Sequence, residues 1–211
     1  MVRTDTKIVT YDEESEASGW YGPEVAFGLA FKHVMPGQSI LDIGIGTGLG
    51  SVLFRKAGLD VHGMDISSQM LDVSRSKGFV SLQPHDLRNL PYPYESESMH
   101  HAICTGVFNF ISDLSPVFEE TARILRKKGL FVFVYGDITE KVAHEFQVRA
   151  KRTKSEKMVT MYRHSQKQID ALMETFGFVL LKSLSFTVFM DRERTKSVQA
   201  KAYLARKATL T

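Results

Sequence analysis

The chain has 211 residues, 43% of them apolar and 24% charged, an ordinary composition for a soluble globular protein with one domain as the default. Its net charge of +3 is too small to argue for a nucleic-acid partner. A single cysteine, Cys104, excludes an intrachain disulfide and a cysteine-rich zinc site, and suits a reducing cytoplasm. The first sixteen residues have no apolar stretch of the kind a signal peptide needs. The longest strongly apolar run, Leu130 to Tyr135, is far too short to span a bilayer.

In chain order, Asp12-Glu13-Glu14 suit the opening of a short helix. Pro23 fits the first turn of a helix running to about Met35. From residue 39 strands and helices alternate. The first strand is expected at Ser39–Asp42, followed by a glycine turn and a helix to Ala57. Asp60–Asp65 reads as the second strand, with Ser67 as the cap of the next helix. Phe79–Leu82 reads as the third strand, followed by a polar loop from His85 to Ser98. Ala102–Thr105 and Leu130–Tyr135 read as the fourth and fifth, separated by a helix capped by Ser112 or Ser115 and closed by Lys127-Lys128-Gly129. Such alternation predicts a parallel sheet with helices on both faces.

Beyond Gly136 the pattern changes. Residues 138–157 read as a basic helix, a solvated face rather than a nucleic-acid groove because no aromatics interleave with the charges. Ser165 and Gln168 have capping-box spacing, and Ile169, Leu172, Met173 and Phe176 form one helical face ended by Gly177. Two alternating runs, around Leu184–Val188 and Val198–Leu204, are joined by a solvated turn at Asp191–Arg194. Without a helix between them they must pair antiparallel.

The informative stretch is Ile40-Leu-Asp-Ile-Gly-Ile-Gly-Thr-Gly-Leu-Gly50. Strand, glycine turn and helix bring backbone close to a ligand. The dinucleotide fingerprint G-x-G-x-x-G is not met, because Leu49 and Ser51 stand where its third glycine would be. Asp42, two residues before the first glycine, would repel a pyrophosphate and attract a cation. Asp65 ends the second strand, where an acid can accept from both ribose hydroxyls. Asp86 follows the third, where an acid can accept from an adenine amine. Three acids after three successive strands would ring the carboxyl end of the sheet. S-adenosyl-L-methionine carries an ammonium and a sulfonium and no phosphate, and so suits this pattern.

On residues 40–50, 63–70, 85–92, 104–114, 122–133 and 164–178, the sequence resembles the class I S-adenosylmethionine-dependent methyltransferases, in particular those acting on small molecules. The resemblance implies a three-layer, Rossmann-like α/β sandwich. Its seven-stranded, mostly parallel sheet has order 3-2-1-4-5-7-6 with strand seven antiparallel. It also implies one domain over 1–211, with an N-terminal lid over about 1–35 and a small insertion at about 137–163. The cofactor would lie on Asp42, Ile43, Gly44, Gly46, Gly48, Asp65, Ile66, Met70, Asp86, Leu87 and Thr105, with Tyr21 offering a cation–π contact. Tyr11 and Trp20 are placed for the same contact.

Methyl transfer needs alignment more than acid–base chemistry, and the resemblance carries over no catalytic residue. Candidate bases are His100, His101, Tyr11, Tyr21 and His164. Adjacent His100 and His101 would point to opposite faces of a strand, so no metal site is expected. Cys104 is expected to be a buried structural thiol. The implied partner is a small methyl acceptor, with neither nucleic acid nor membrane expected. The alternatives are a non-catalytic cofactor-binding protein of this fold, an RNA or protein methyltransferase, or an NAD(P)-dependent oxidoreductase.

Overall fold

The computed structural model describes residues 5–137, 144–149, 158–189 and 193–209. Helices α1 (Asp5–Ser18) and α2 (Gly22–Ala30) come first, then β1 (Ser39–Ile43), α3 (Val52–Lys56), β2 (Asp60–Asp65), α4 (Ser68–Arg75), β3 (Ser81–Pro84) and β4 (Met99–Cys104). They are followed by α5 (Ser115–Ile124), β5 (Leu125–Gly136), β6 (Glu145–Arg149), β7 (Met158–Tyr162), α6 (Gln166–Thr175), β8 (Phe178–Phe189) and β9 (Ser197–Lys207).

Seven strands form one sheet in the order β3-β2-β1-β4-β5-β9-β8, while β6 and β7 make a separate hairpin. With that hairpin set aside, the order is 3-2-1-4-5-7-6. β1 pairs parallel with β2 and with β4, and β9 runs antiparallel to β5 and β8. The central position of β1 follows from its composition. Ile40, Leu41 and Ile43 are fully buried, as a strand covered on both faces requires.

Side chains of β5 alternate between two cores. Phe131, Phe133 and Tyr135 join Phe108, Phe118, Phe178 and Tyr203 on one face. Leu130, Val132 and Val134 join Ile40, Phe54, Val61, Ile103 and Leu204 on the other, beneath Ala26 and Ala30 of α2. The aromatic face is tied by edge contacts; Phe118 meets Phe131, Phe133 and Phe178 with ring centroids 5.4 to 6.1 Å apart.

Local signals hold where side chains serve the backbone. Ser67 Oγ accepts from the Met70 amide, and Ser165 and Gln168 complete a capping box on α6. Elsewhere tertiary contacts override the sequence expectation. The acids at 12–14 lie inside α1 rather than at its start. α2 ends at Ala30 and tightens into a 3-10 turn at Phe31–His33. Neither expected serine caps α5; the Asp113 carboxylate accepts from the Ser115 amide instead. β3 lies two residues later than expected, and β4 and β5 begin at Met99 and Leu125, which pair with each other. In the segment read as a basic helix, residues 145–149 form β6. Residues 138–143 and 150–157 lie outside the described residues, as do Asp191 and Arg192 of the expected turn.

Candidate active site

The glycine turn is pinned to the end of β2. Amides of Gly44 and Ile45 donate to the Met64 carbonyl, and the Gly46 amide donates to Asp65 Oδ2 at 2.8 Å. Asp65 Oδ1 accepts from the Ser67 amide at 2.8 Å, so one carboxylate braces both the turn and the start of α4. Ser74 Oγ donates to the Gly46 carbonyl. A Cβ on Gly44 would lie 2.4 Å from Val107 Cγ2, whereas one on Gly46 would meet nothing within 4 Å. Gly44 therefore lets the loop after β4 close onto the turn, and Gly46 leaves open space.

That space belongs to a cleft of ≈ 500 Å³ at the carboxyl ends of β1 to β4. The glycine turn, Asp65, Ile66, Met70, Asp86, Leu87 and Thr105 line it, and Tyr11, Trp20, Val107 and Phe110 add aromatic and apolar walls. Phe110 and Ile66 are 56% and 65% exposed, so they present apolar surface that the chain itself leaves uncovered.

The N-terminal segment is attached here. Asp12 on α1 accepts from Thr47 Oγ1 at 2.6 Å and from Lys77 Nζ at 2.7 Å, joining α1 to the glycine turn and to the end of α4.

Asp42 lies behind the cleft rather than in its wall. It is buried and accepts from Ser51 Oγ at 2.7 Å. A Cβ on Gly50 would lie 3.4 Å from its Oδ2 and 2.7 Å from Thr105 Oγ1. Desolvation, reinforced by the charge of Asp65 and opposed by Ser51, pushes its carboxyl up to about 7. Asp86 behaves in the opposite way: hydrogen bonds from the Arg88 guanidinium and amide hold it down at about 2.

Several expected site residues lie elsewhere. Ile43 is fully buried in the sheet, and Gly48 packs against Phe79. Tyr21 is outside the cleft lining, and its hydroxyl accepts from Arg194. Of the five candidate bases, only Tyr11 lines the cleft. His100 and His101 sit at the start of β4, at the opposite end of the sheet. His164 is buried and bonded through Nε2 to the Phe108 carbonyl, behind the loop rather than in it. Cys104 is fully buried, and desolvation raises its thiol well above the ordinary range. The sequence reading missed Val107, Phe110 and Ile111 of the cleft lining, although a run of apolar residues just after a strand's carboxyl end signals a ligand-facing loop.

The turn fits a phosphate poorly. The amides of Gly44, Ile45, Gly46 and Gly48 already donate to protein acceptors, and α3 is only five residues long. Among the described residues lining the cleft, the only cation is Arg88, which is paired with Asp86. Asp65 leaves an excess of negative charge, which favours a cationic ligand. Residues 41–133, from within β1 to within β5, match the methyltransferase domain family.

In that stretch the chain is similar to S-adenosylmethionine-dependent methyltransferases. Its similarity to an arsenite methyltransferase of Halobacterium salinarum is 29% identity over 134 residues, 56% of this chain and 33% of that protein. To a malonyl-[acyl-carrier protein] O-methyltransferase of Serratia marcescens it is 31% over 111 residues, 52% of this chain and 42% of that one. The chain thus matches less than half the length of these curated relatives. The fold extends further: an S-adenosylmethionine-dependent methyltransferase structure from Methanosarcina mazei superposes with a TM-score of 0.74 at 16% identity, covering 86% of this chain and 98% of that one. The methyltransferase cofactor is S-adenosylmethionine, and the open space at Gly46, the carboxylates and the scarcity of free cations all suit it. Among the described residues, no helix is long and apolar enough to cross a membrane.

Proposed function

We propose that the chain transfers a methyl group from S-adenosylmethionine to a small, largely apolar acceptor. The observation that carries this is the cleft itself: negative at its inner wall, open at Gly46 and apolar at its mouth. Asp65 keeps lone pairs for ribose hydroxyls beyond its two backbone bonds, and Asp86 is ionised and able to accept from an amine. When bound, S-adenosylmethionine supplies an electrophilic methyl on a sulfonium. The chain's own task is to hold the acceptor in line and exclude water, which α1, tethered through Asp12, would do as a lid.

Among the described residues no histidine lines the cleft, which favours an acceptor that is already nucleophilic or that loses its proton to Tyr11 or to water. Arsenic, named in one relative's activity, is a thiophilic acceptor that would call for accessible thiolates. The chain's one cysteine is buried with its thiol raised, so an oxygen, nitrogen or carbon nucleophile on an apolar frame is the better match.

Calorimetry with S-adenosylhomocysteine and with NADH tests the cofactor reading, with binding expected for the first alone. Release of S-adenosylhomocysteine over a panel of small hydroxylated, amino and acyl acceptors tests the transfer. Tight cofactor binding without turnover on any acceptor would leave a non-catalytic protein of this fold.

A further inference from the structure

A second cavity of ≈ 440 Å³ opens at the amino ends of the parallel strands, away from the candidate active site. It is lined by His33, His100 and His101, by Arg126, Lys127 and Lys128, and by Arg206, with no acid among the described residues of its wall. Its construction is visible in the strand register. Met99 pairs with Leu125 but His101 pairs with Leu130, so opposite one residue of β4 the chain of β5 loops out over residues 126–129. That excursion carries the three consecutive cations. Its backbone is fixed: Lys128 has φ +63°, and a Cβ on Gly129 would lie 2.8 Å from the carbonyls of both Arg126 and His100. Arg206 comes from the end of β9, beside β5.

Among the described residues none of Arg126, Lys127, Lys128 or Arg206 takes part in an ion pair. Arg126 Nη1 lies 2.8 Å from His100 Nε2, and the Ser39 amide donates to Nδ1 of the same ring, so the guanidinium faces an imidazole where a carboxylate would neutralise it. The imidazoles add unmet capacity. Gln38 Oε1 accepts from the Met35 amide at 2.7 Å and lies 2.8 Å from His101 Nε2, which therefore carries the proton. Nδ1 of the same ring, in a side chain only 5% exposed, has no partner, and neither does His33 Nε2. Both unsatisfied atoms belong to residues lining this one cavity. Buried polar atoms without partners and cations without counterions at one place indicate a missing ligand.

We infer that this amino-end cavity binds the phosphate group of a small molecule. Arginine and lysine match the oxygens of a phosphate, and a phosphate that keeps one proton also offers an O–H to an imidazole acceptor. The volume leaves room for more than the phosphate itself, so free phosphate, pyrophosphate and a phosphate monoester are the candidate sources. The cavity is separate from the methyl-transfer cleft. Four residue steps along β4 and just past its end lead from His101 to Thr105, about 13 Å.

Calorimetry on the full chain with inorganic phosphate, pyrophosphate and glucose 6-phosphate separates these sources. At least one should bind, and Lys127→Gln combined with Arg206→Gln should weaken it about tenfold or more. Lys167→Gln, at an exposed position on α6, should leave it unchanged, and S-adenosylhomocysteine affinity should be unchanged in both variants. Because both substituted side chains in the double variant are exposed, an unaltered melting temperature is expected and guards against misfolding. The inference is overturned if none of the three probes binds, if the double variant binds as the parent does, or if Lys167→Gln weakens binding equally. Binding of an RNA oligomer with none of the three small probes would also overturn it, in favour of a polymer surface.

Discussion

Alanine placed separately at Gly44 and Gly46 divides the turn's packing role from its ligand-facing role. Both glycines have positive φ, +77° and +53°. A Cβ in that region costs about 1–2 kcal/mol. At Gly44 the new atom would also lie 2.4 Å from Val107 Cγ2, and moving the loop after β4 adds about 1–3 kcal/mol. Gly46 meets no protein atom, so only the backbone term applies. Urea unfolding should therefore show losses of about 2–5 kcal/mol for Gly44→Ala and about 1–2 kcal/mol for Gly46→Ala. In melting temperature, each kcal/mol is about 2–4 °C for a chain of this size. Gly44→Ala with Val107→Ala should recover part of its loss. Gly46→Ala should stay folded yet bind S-adenosylhomocysteine at least about tenfold more weakly, a loss of about 1.4 kcal/mol. Equal stability losses, or unchanged affinity in Gly46→Ala, would refute the assignment of the two glycines.

Asp65→Asn turns one of two accepting oxygens into a donor facing a backbone amide, and should weaken S-adenosylhomocysteine binding by about 10- to 100-fold in calorimetry; an unchanged dissociation constant would remove Asp65 from the site. Asp42 ionises at about 7 in the folded chain against an ordinary 3.8, so the folded form holds a proton that the unfolded chain has released. Stability should accordingly fall as pH rises through that window and level off above it, and Asp42→Asn should abolish the slope in urea titrations. A bound cation favours the Asp42 carboxylate, so affinity for S-adenosylmethionine should rise with pH towards about 7 and release protons, more so than for S-adenosylhomocysteine; equal pH profiles for the two would count against it. Asp12→Asn should loosen α1, seen as faster proteolysis before residue 20 and severalfold weaker cofactor binding; unaltered proteolysis would mean α1 is held by other contacts.

The parallel sheet was legible because β1, β4 and β5 contain the apolar runs Ile40–Leu41, Ala102–Cys104 and Leu130–Tyr135, and strand and helix signals alternate along the chain. Asp65 and Asp86 were legible for the same reason: position after a strand fixes position on the carboxyl edge. Asp42 illustrates the limit. Its type and spacing pointed to a cation, but only the packing of Gly50 and Thr105 shows that it sits behind the wall. His100 and His101 were misjudged as bases, because residues at or before a parallel strand's amino end lie on the edge opposite the cleft. The basic cavity had only one local signature, the run Arg126-Lys127-Lys128. It depends on four residues looping out of β5 opposite one residue of β4, and on Arg206, about 80 residues further along the chain than that loop. Such an arrangement depends on register, which periodicity does not report.

Cys104, buried at the end of β4 with its thiol held protonated, has a practical consequence. The native chain offers no reactive sulfhydryl, so it is a silent background for attaching probes. Cysteines introduced at exposed Glu16 on α1 and Gln69 on α4 would carry a fluorophore pair or two spin labels without any native residue being removed. The distance between them, read with and without S-adenosylhomocysteine, would report directly on whether the first helix swings as the cleft fills.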